Sequence, residues 1–156
     1  MISLKRISLI FLGLNAVLSI LTLLFHQGDI FIHWNAQHVP DQRAPVFMAV
    51  VVPIIAGVIY FLFIKLSPAK IHEDDSTIQL FQYRIPVPVT KNNIQSIENA
   101  IKQFIDSILL ILQSVFLWVS LVFLLQKDLF SRMGIVFVLL IIVDLVFFIY
   151  KLYKTA

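Results

Sequence analysis

Three histidines, His26, His33 and His38, share a short polar stretch with Asp29 and Asp41. Imidazole and carboxylate are competent ligands for zinc and similar ions, and imidazole can also sense pH near neutrality. The histidines are spaced by seven and five residues, which matches no local metal motif. Three readings therefore stand side by side: a metal site, a pH sensor and a structural loop. The structural reading has its own chemistry, because Asn35 can bond its own backbone in a turn, Pro40 restricts Val39, and Asp41 can cap the segment after it. A second set of polar residues sits inside apolar runs: Asn15, Gln113 with Ser114 beside it, and Asp144 between Ile142-Val143 and Leu145-Val146. A charge near mid-membrane costs at least about 2.5 to 3.5 kcal/mol, so such residues face a bundle interior and find partners. No serine-histidine-aspartate order, Gly-rich phosphate loop or HExxH helix is present. Cysteine is absent, which removes disulfides, thiolate catalysis and Cys-type zinc sites. No enzyme class gains support, and no cofactor is expected.

The elements that must position these residues are membrane spans. Of 156 residues, 60% are hydrophobic, and the mean hydropathy is +0.94, far from the balance of a soluble domain. About 20 mostly apolar residues cross a bilayer, and the chain supplies four such runs, over 7–25, 46–64, 107–125 and 133–150. The expected fold is all-α, a single membrane domain forming a four-helix transmembrane bundle. The first run follows Lys5 and Arg6 as a signal peptide would, but it is long and shows no small-residue cleavage pattern, so it reads as a retained helix. The net charge of +3 concerns orientation and not nucleic acid, because Lys and Arg gather in cytoplasmic loops. Lys5, Arg6, Lys65, Lys70, Arg84, Lys91, Lys102, Lys151 and Lys154 fall on the side of the termini, against Arg43, Lys127 and Arg132 on the other. Both termini are therefore expected in the cytoplasm, with the 26–45 loop outside and the 65–106 loop inside.

Counted inward from the cytoplasmic ends, Asp144 is six residues from Tyr150, Gln113 six from Ser107 and Asn15 eight from Ile7. At about 1.5 Å per residue, all three lie roughly 9 to 12 Å into the membrane. This depth suggests one intramembrane polar cluster, either interhelical glue or a proton- or ion-responsive switch. Pro53 and Gly57 in the second span are tolerated in membranes, and a kink near Pro53 is expected. In the central loop, Ser67-Pro68 and Glu73-Asp74-Asp75 read as a solvated turn. Residues 78–89 alternate partly, but Pro86 and Pro88 exclude a central paired strand, which leaves an extended segment at the membrane surface. Ile94, Ile97, Ile101, Phe104 and Ile108 then recur at helical spacing behind Asn93, a candidate cap. This amphipathic helix either runs into the third span or lies along the inner surface as an interfacial anchor, with docking of a cytoplasmic partner as the other reading.

The run Ile30-Phe31-Ile32-His33-Trp34-Asn35, followed by Pro40-Asp41 and placed between two spans, resembles the motif I-P-I-H-[FW]-N-x-x-G-x-P-D of a bacterial membrane domain. That domain forms the amino-terminal part of the immunity proteins against the sporulation-delaying toxin. The resemblance covers residues 1–66. Phe31 stands at the family's proline and His38 at its glycine, so a left-handed residue is expected at His38. The further membrane region of the longer immunity proteins, with its Gly-Ile-Arg-Thr-Pro-type signature, has no counterpart in these residues. The resemblance implies His33, Trp34, Asn35, Pro40 and Asp41 as the defining loop, with Trp34 at the headgroup level. It also implies a bacterial plasma membrane and toxin immunity, or signalling that holds a repressor at the membrane.

Two functions are thus expected to compete. One is a non-enzymatic immunity or sensor protein whose outer loop meets a peptide or envelope ligand and relays it, through the kinked second helix, to a cytoplasmic regulator. The other is a small transporter or transporter subunit with Asn15, Gln113 and Asp144 along its path, for which a homodimer is expected, although Gly-xxx-Gly spacing is absent. A membrane metalloenzyme would require His26, His33 and His38 to converge.

Overall fold

A computed structural model describes residues 3–35, 37–65, 78–80, 83–127 and 130–155. Helix α1 (Leu4–Phe25) is followed by strands β1 (Asp29–Trp34) and β2 (Pro40–Pro45), and a 3-10 turn (Val46–Val50) leads into α2 (Val51–Lys65). Two short strands, β3 (Ile78–Leu80) and β4 (Tyr83–Ile85), precede α3 (Ile94–Leu125) and α4 (Phe130–Thr155). Four helical segments are long and apolar enough to cross a membrane: Leu4–Phe25, Val46–Lys65, Ile94–Leu125 and Met133–Lys154. The expected all-α architecture of four spans is what the chain forms, with two small hairpins added.

Side-chain pairs fix the helix directions. Lys5 meets Asp106, Ser19 meets Ser120 and His26 meets Leu124, so residue numbers rise together and α1 runs parallel to α3. Ser107 meets Asp144 and Gln103 meets Lys151, so α4 runs antiparallel to α3. Helix α3 touches all three other helices, whereas α4 packs chiefly on α3. Outward faces carry large apolar residues such as Leu9, Ile20, Ile54, Phe61 and Leu139, as a lipid-facing surface requires. Conversely, the residues that α1 buries are Ser8, Asn15, Ser19 and Thr22.

Several local expectations resolve differently. The 26–45 loop is largely a folded hairpin: β1 and β2 pair antiparallel, with irregular register on either side of His33. Its base closes through the Val46 N–H donating to the Gly28 carbonyl at 2.9 Å, where Gly28 takes φ +92°, a backbone that glycine adopts at least cost. In the central segment β3 and β4 pair with each other ahead of the prolines. Pairing is possible there because a two-stranded hairpin has only edges. Beyond it, Val87 and Val89 are buried with Ile97, Ile101, Ile105, Phe148 and Leu152, so this stretch packs on α3 and α4 instead of lying on the membrane surface. The amphipathic segment is the beginning of α3, continuous with the third span over 32 residues.

Asn93 holds the N-cap position but makes no side-chain cap bond. Its carboxamide turns back instead, accepting from Thr90 N–H at 2.7 Å and donating to the Pro88 carbonyl at 2.9 Å. The loop before the helix has its own orphan backbone groups, and they win this side chain. The second span is irregular at its start: it passes from 3-10 to α-helix at Val51, which leaves Pro53 in the first α-helical turn, where its missing N–H costs least. The Ser67-Pro68 and Glu73-Asp74-Asp75 turn lies outside the described residues.

Candidate functional sites: the hairpin and the polar seam

The hairpin tip is organised by Asn35. Its Oδ1 accepts from the backbone N–H groups of Gln37 and Val39, both at 3.0 Å. Its own N–H donates to Val39 O at 3.0 Å, and His38 N–H donates to Asn35 O at 2.9 Å. His38 follows this turn with φ +63°, the left-handed residue that such hairpin loops need and that the family's glycine implied. A histidine there carries a steric cost that glycine lacks, partly offset by glycine's greater unfolded entropy. His38→Gly is therefore expected to leave hairpin stability within about 0.5 kcal/mol, whereas His38→Val lowers it by about 1 to 2 kcal/mol. Amide exchange at Val39 checks the pair, and equal protection in both variants would refute it.

The irregular register places His33 beside Asp41. His33 Nδ1 donates to Asp41 Oδ1 at 2.5 Å, with both side chains substantially exposed. In the neutral ring this leaves the lone pair on Nε2, the tautomer an oriented imidazole offers to a proton or ligand. Asp41 thus acts as partner to His33 and not as a helix cap, because β2 includes it. Pro40 opens β2, and Trp34 packs on a core of Ile30, Ala49, Val122 and Phe123. Arg43 stacks 4.6 Å over the Phe31 ring across the strands, a cation–π contact. Among the described residues no three His, Asp or Glu side chains form a group that could hold a metal ion. His26 is instead engaged with the helix bundle: its Nε2 donates to the Leu124 carbonyl at 2.8 Å.

Gln126 joins the hairpin to α3. It ends the helix in a left-handed conformation, donates to Phe123 O at 2.6 Å, and accepts from Phe31 N–H at 2.7 Å. One carboxamide therefore satisfies a helix-terminal carbonyl and a strand N–H together.

Inside the bundle the polar residues form a seam. On α1, Ser8, Asn15 and Thr22 recur every seven residues, as do Asp106, Gln113 and Ser120 on α3, and all six are buried. Ser120 Oγ donates to Asn15 Oδ1, and Gln113 Nε2 donates to the Ala56 carbonyl at 2.9 Å. Asp144 accepts from Ser107 Oγ at 2.7 Å, while Ser114 bonds back to Leu110 O within its own helix. The structure thus gives Asn15, Gln113 and Asp144 separate partners. Ser107 and Ser120 are thirteen residues apart on α3, roughly 20 Å, and Asp144 is level with Ser107 at the edge of the third apolar run. Among the described residues, Asn15 Nδ2, Asp106 Oδ1, Gln113 Oε1 and Trp118 Nε1 are buried without a hydrogen-bond partner. Ser8, Thr22, Asp106 and Ser120 belong to the seam through a seven-residue repeat that is present in the sequence, whereas Ser19 lies outside that repeat and is placed by its contact with Ser120.

Fold and sites together define a multi-pass helical membrane protein with four spans, a folded hairpin at one end and a polar seam within. No protein-family model, no curated protein and no solved structure matches the chain.

Proposed function

We propose that the chain is a non-enzymatic protein of a bacterial plasma membrane, in which the β1–β2 hairpin stands outside and meets an antimicrobial peptide or another envelope ligand. The observation that carries this reading is the reach of α3. Its 32 residues span about 48 Å, with Gln126 bonded to the hairpin at one end and Val87 and Val89 packed on its other end. A load on the hairpin therefore reaches α3 through Gln126 as well as α2 through the chain that continues from β2. The central segment is then where a cytoplasmic regulator would respond. The gathering of Lys and Arg on the side of the termini supports this orientation. The left-handed His38 agrees with the resemblance to the toxin-immunity family.

The test is bacterial survival under a panel of secreted antimicrobial peptides. Cells expressing the protein are expected to survive, and cells expressing His33→Ala/Asn35→Ala at equal membrane abundance are expected to lose that protection. No protection from either version would sink the reading. A transporter subunit is the second reading, favoured by the unpartnered Asn15 Nδ2 and Gln113 Oε1 atoms of the seam. In that case changes at Asn15 and Gln113, and not at the hairpin, would abolish the activity.

A further inference from the structure

Where α1, α3 and α4 meet at the end holding the termini, they line a half-open cavity of about 500 Å³, within the size range of small-molecule sites. Phe104, Phe147 and Phe148 form apolar walls, and Asp106, Ser107 and Asp144 supply acceptors; Lys151 also lines the cavity, where its ammonium donates to Gln103 Oε1. The Phe104 and Phe148 rings stack at 4.3 Å, which fixes one wall. Asp106 is only 9% exposed; among the described residues its Oδ1 is buried without a hydrogen bond and forms an ion pair with Lys5 Nζ at 3.5 Å. Asp144 Oδ2 takes the Ser107 hydroxyl, and the carboxylate forms no ion pair among the described residues. A carboxylate at the membrane edge without a cationic partner is unusual, because intramembrane charges pair.

We propose that this cavity binds an organic ammonium group carried on an apolar body, with Asp144 as its direct anionic contact and Asp106 behind it. The chemistry is complementary on both counts. An ammonium supplies Asp144 with a cationic partner and Asp106 Oδ1 with a hydrogen bond beside its ion pair to Lys5, and ring faces attract cations while receiving an alkyl or aryl body. The site lies level with the edge of the third apolar run, where a molecule with one charged end and one apolar end partitions. It is separate from the hairpin, so it stands whether or not the hairpin binds a peptide.

The test uses the full chain in nanodiscs of phosphatidylglycerol, titrated calorimetrically with 4-phenylbutylammonium after subtraction of empty discs. Saturable binding is expected, weakened at least about tenfold in Asp144→Asn, as loss of one charge-assisted hydrogen bond implies. Phenylbutyrate, with the same body and the opposite charge, is expected not to saturate. Leu4→Trp fills the cavity while keeping both carboxylates and the Lys151–Gln103 bond and is expected to abolish binding, which decides the matter even if Asp144→Asn fails to fold. Adding phosphatidylethanolamine identifies the source: displacement of the probe assigns the site to a lipid headgroup, and unchanged binding assigns it to a free amine. The proposal is overturned if the ammonium probe does not saturate, if phenylbutyrate binds as well, or if folded Asp144→Asn or Leu4→Trp binds like the wild type.

Discussion

Replacing Ile101 with alanine is expected to cost about 2 to 5 kcal/mol, the range for emptying a well-packed aliphatic site. Ile101 is 1% exposed, in a cluster with Val87, Val89, Phe148 and Leu152. It lies ahead of the apolar run that begins near residue 107, so its side chain is withdrawn from water and not exchanged between protein and lipid. Both the lost transfer free energy and the cavity then count against the variant. Leu139 offers the control. It is 54% exposed on α4 and faces lipid, which is as apolar as leucine itself, so Leu139→Ala removes little. Reversible unfolding in mixed micelles should separate the two variants by at least about 2 kcal/mol. Amide exchange at Val87 and Val89 should accelerate only in Ile101→Ala. If the two variants unfold alike, the central segment is not part of the folded core.

The four spans were legible because length and hydropathy decide membrane insertion almost alone. The polar seam was only half legible, and the reason is geometric. Counting residues inward gives depth, but it carries no information about rotation around a helix axis or about the offset between neighbouring helices. Depth alone therefore groups Asp144 with Asn15, whereas α4 slides along α3 until Asp144 meets Ser107. Rotation was readable elsewhere, in the seven-residue steps of Ser8, Asn15 and Thr22. In a soluble helix such a stripe would mark the solvated face; in lipid it marks the buried one. The hairpin was hidden for a different reason. Ile30, Ile32 and Trp34 alternate, but β2 begins and ends with proline, and a strand bracketed by prolines reads as a loop until its partner is known. The αL position at His38 became visible only through the family motif, since nothing in the type of that residue demands φ > 0.

Asn35→Ala is expected to open the hairpin tip, with the largest functional consequence of any single change there. The variant loses both bonds accepted by Asn35 Oδ1, from Gln37 and Val39 N–H, while the backbone bonds of the turn remain available. At about 0.5 to 1.5 kcal/mol per bond, the local loss is roughly 1 to 3 kcal/mol. Amide exchange at Val39 should therefore accelerate about five- to 150-fold, with the melting of the helical bundle nearly unchanged. The turn also sets the register that brings His33 to Asp41, so its opening should release that pair and free the imidazole from its oriented tautomer. Two comparisons separate shape from chemistry. His33→Gln keeps the turn and loses the imidazole, whereas Asn35→Asp keeps an acceptor at the same place and should restore protection of the Val39 amide. If Asn35→Asp also restores survival under the peptide panel while His33→Gln does not, the turn serves to present the imidazole. If His33→Gln survives as well as the wild type, the hairpin works by shape alone, and the His33–Asp41 pair is structural.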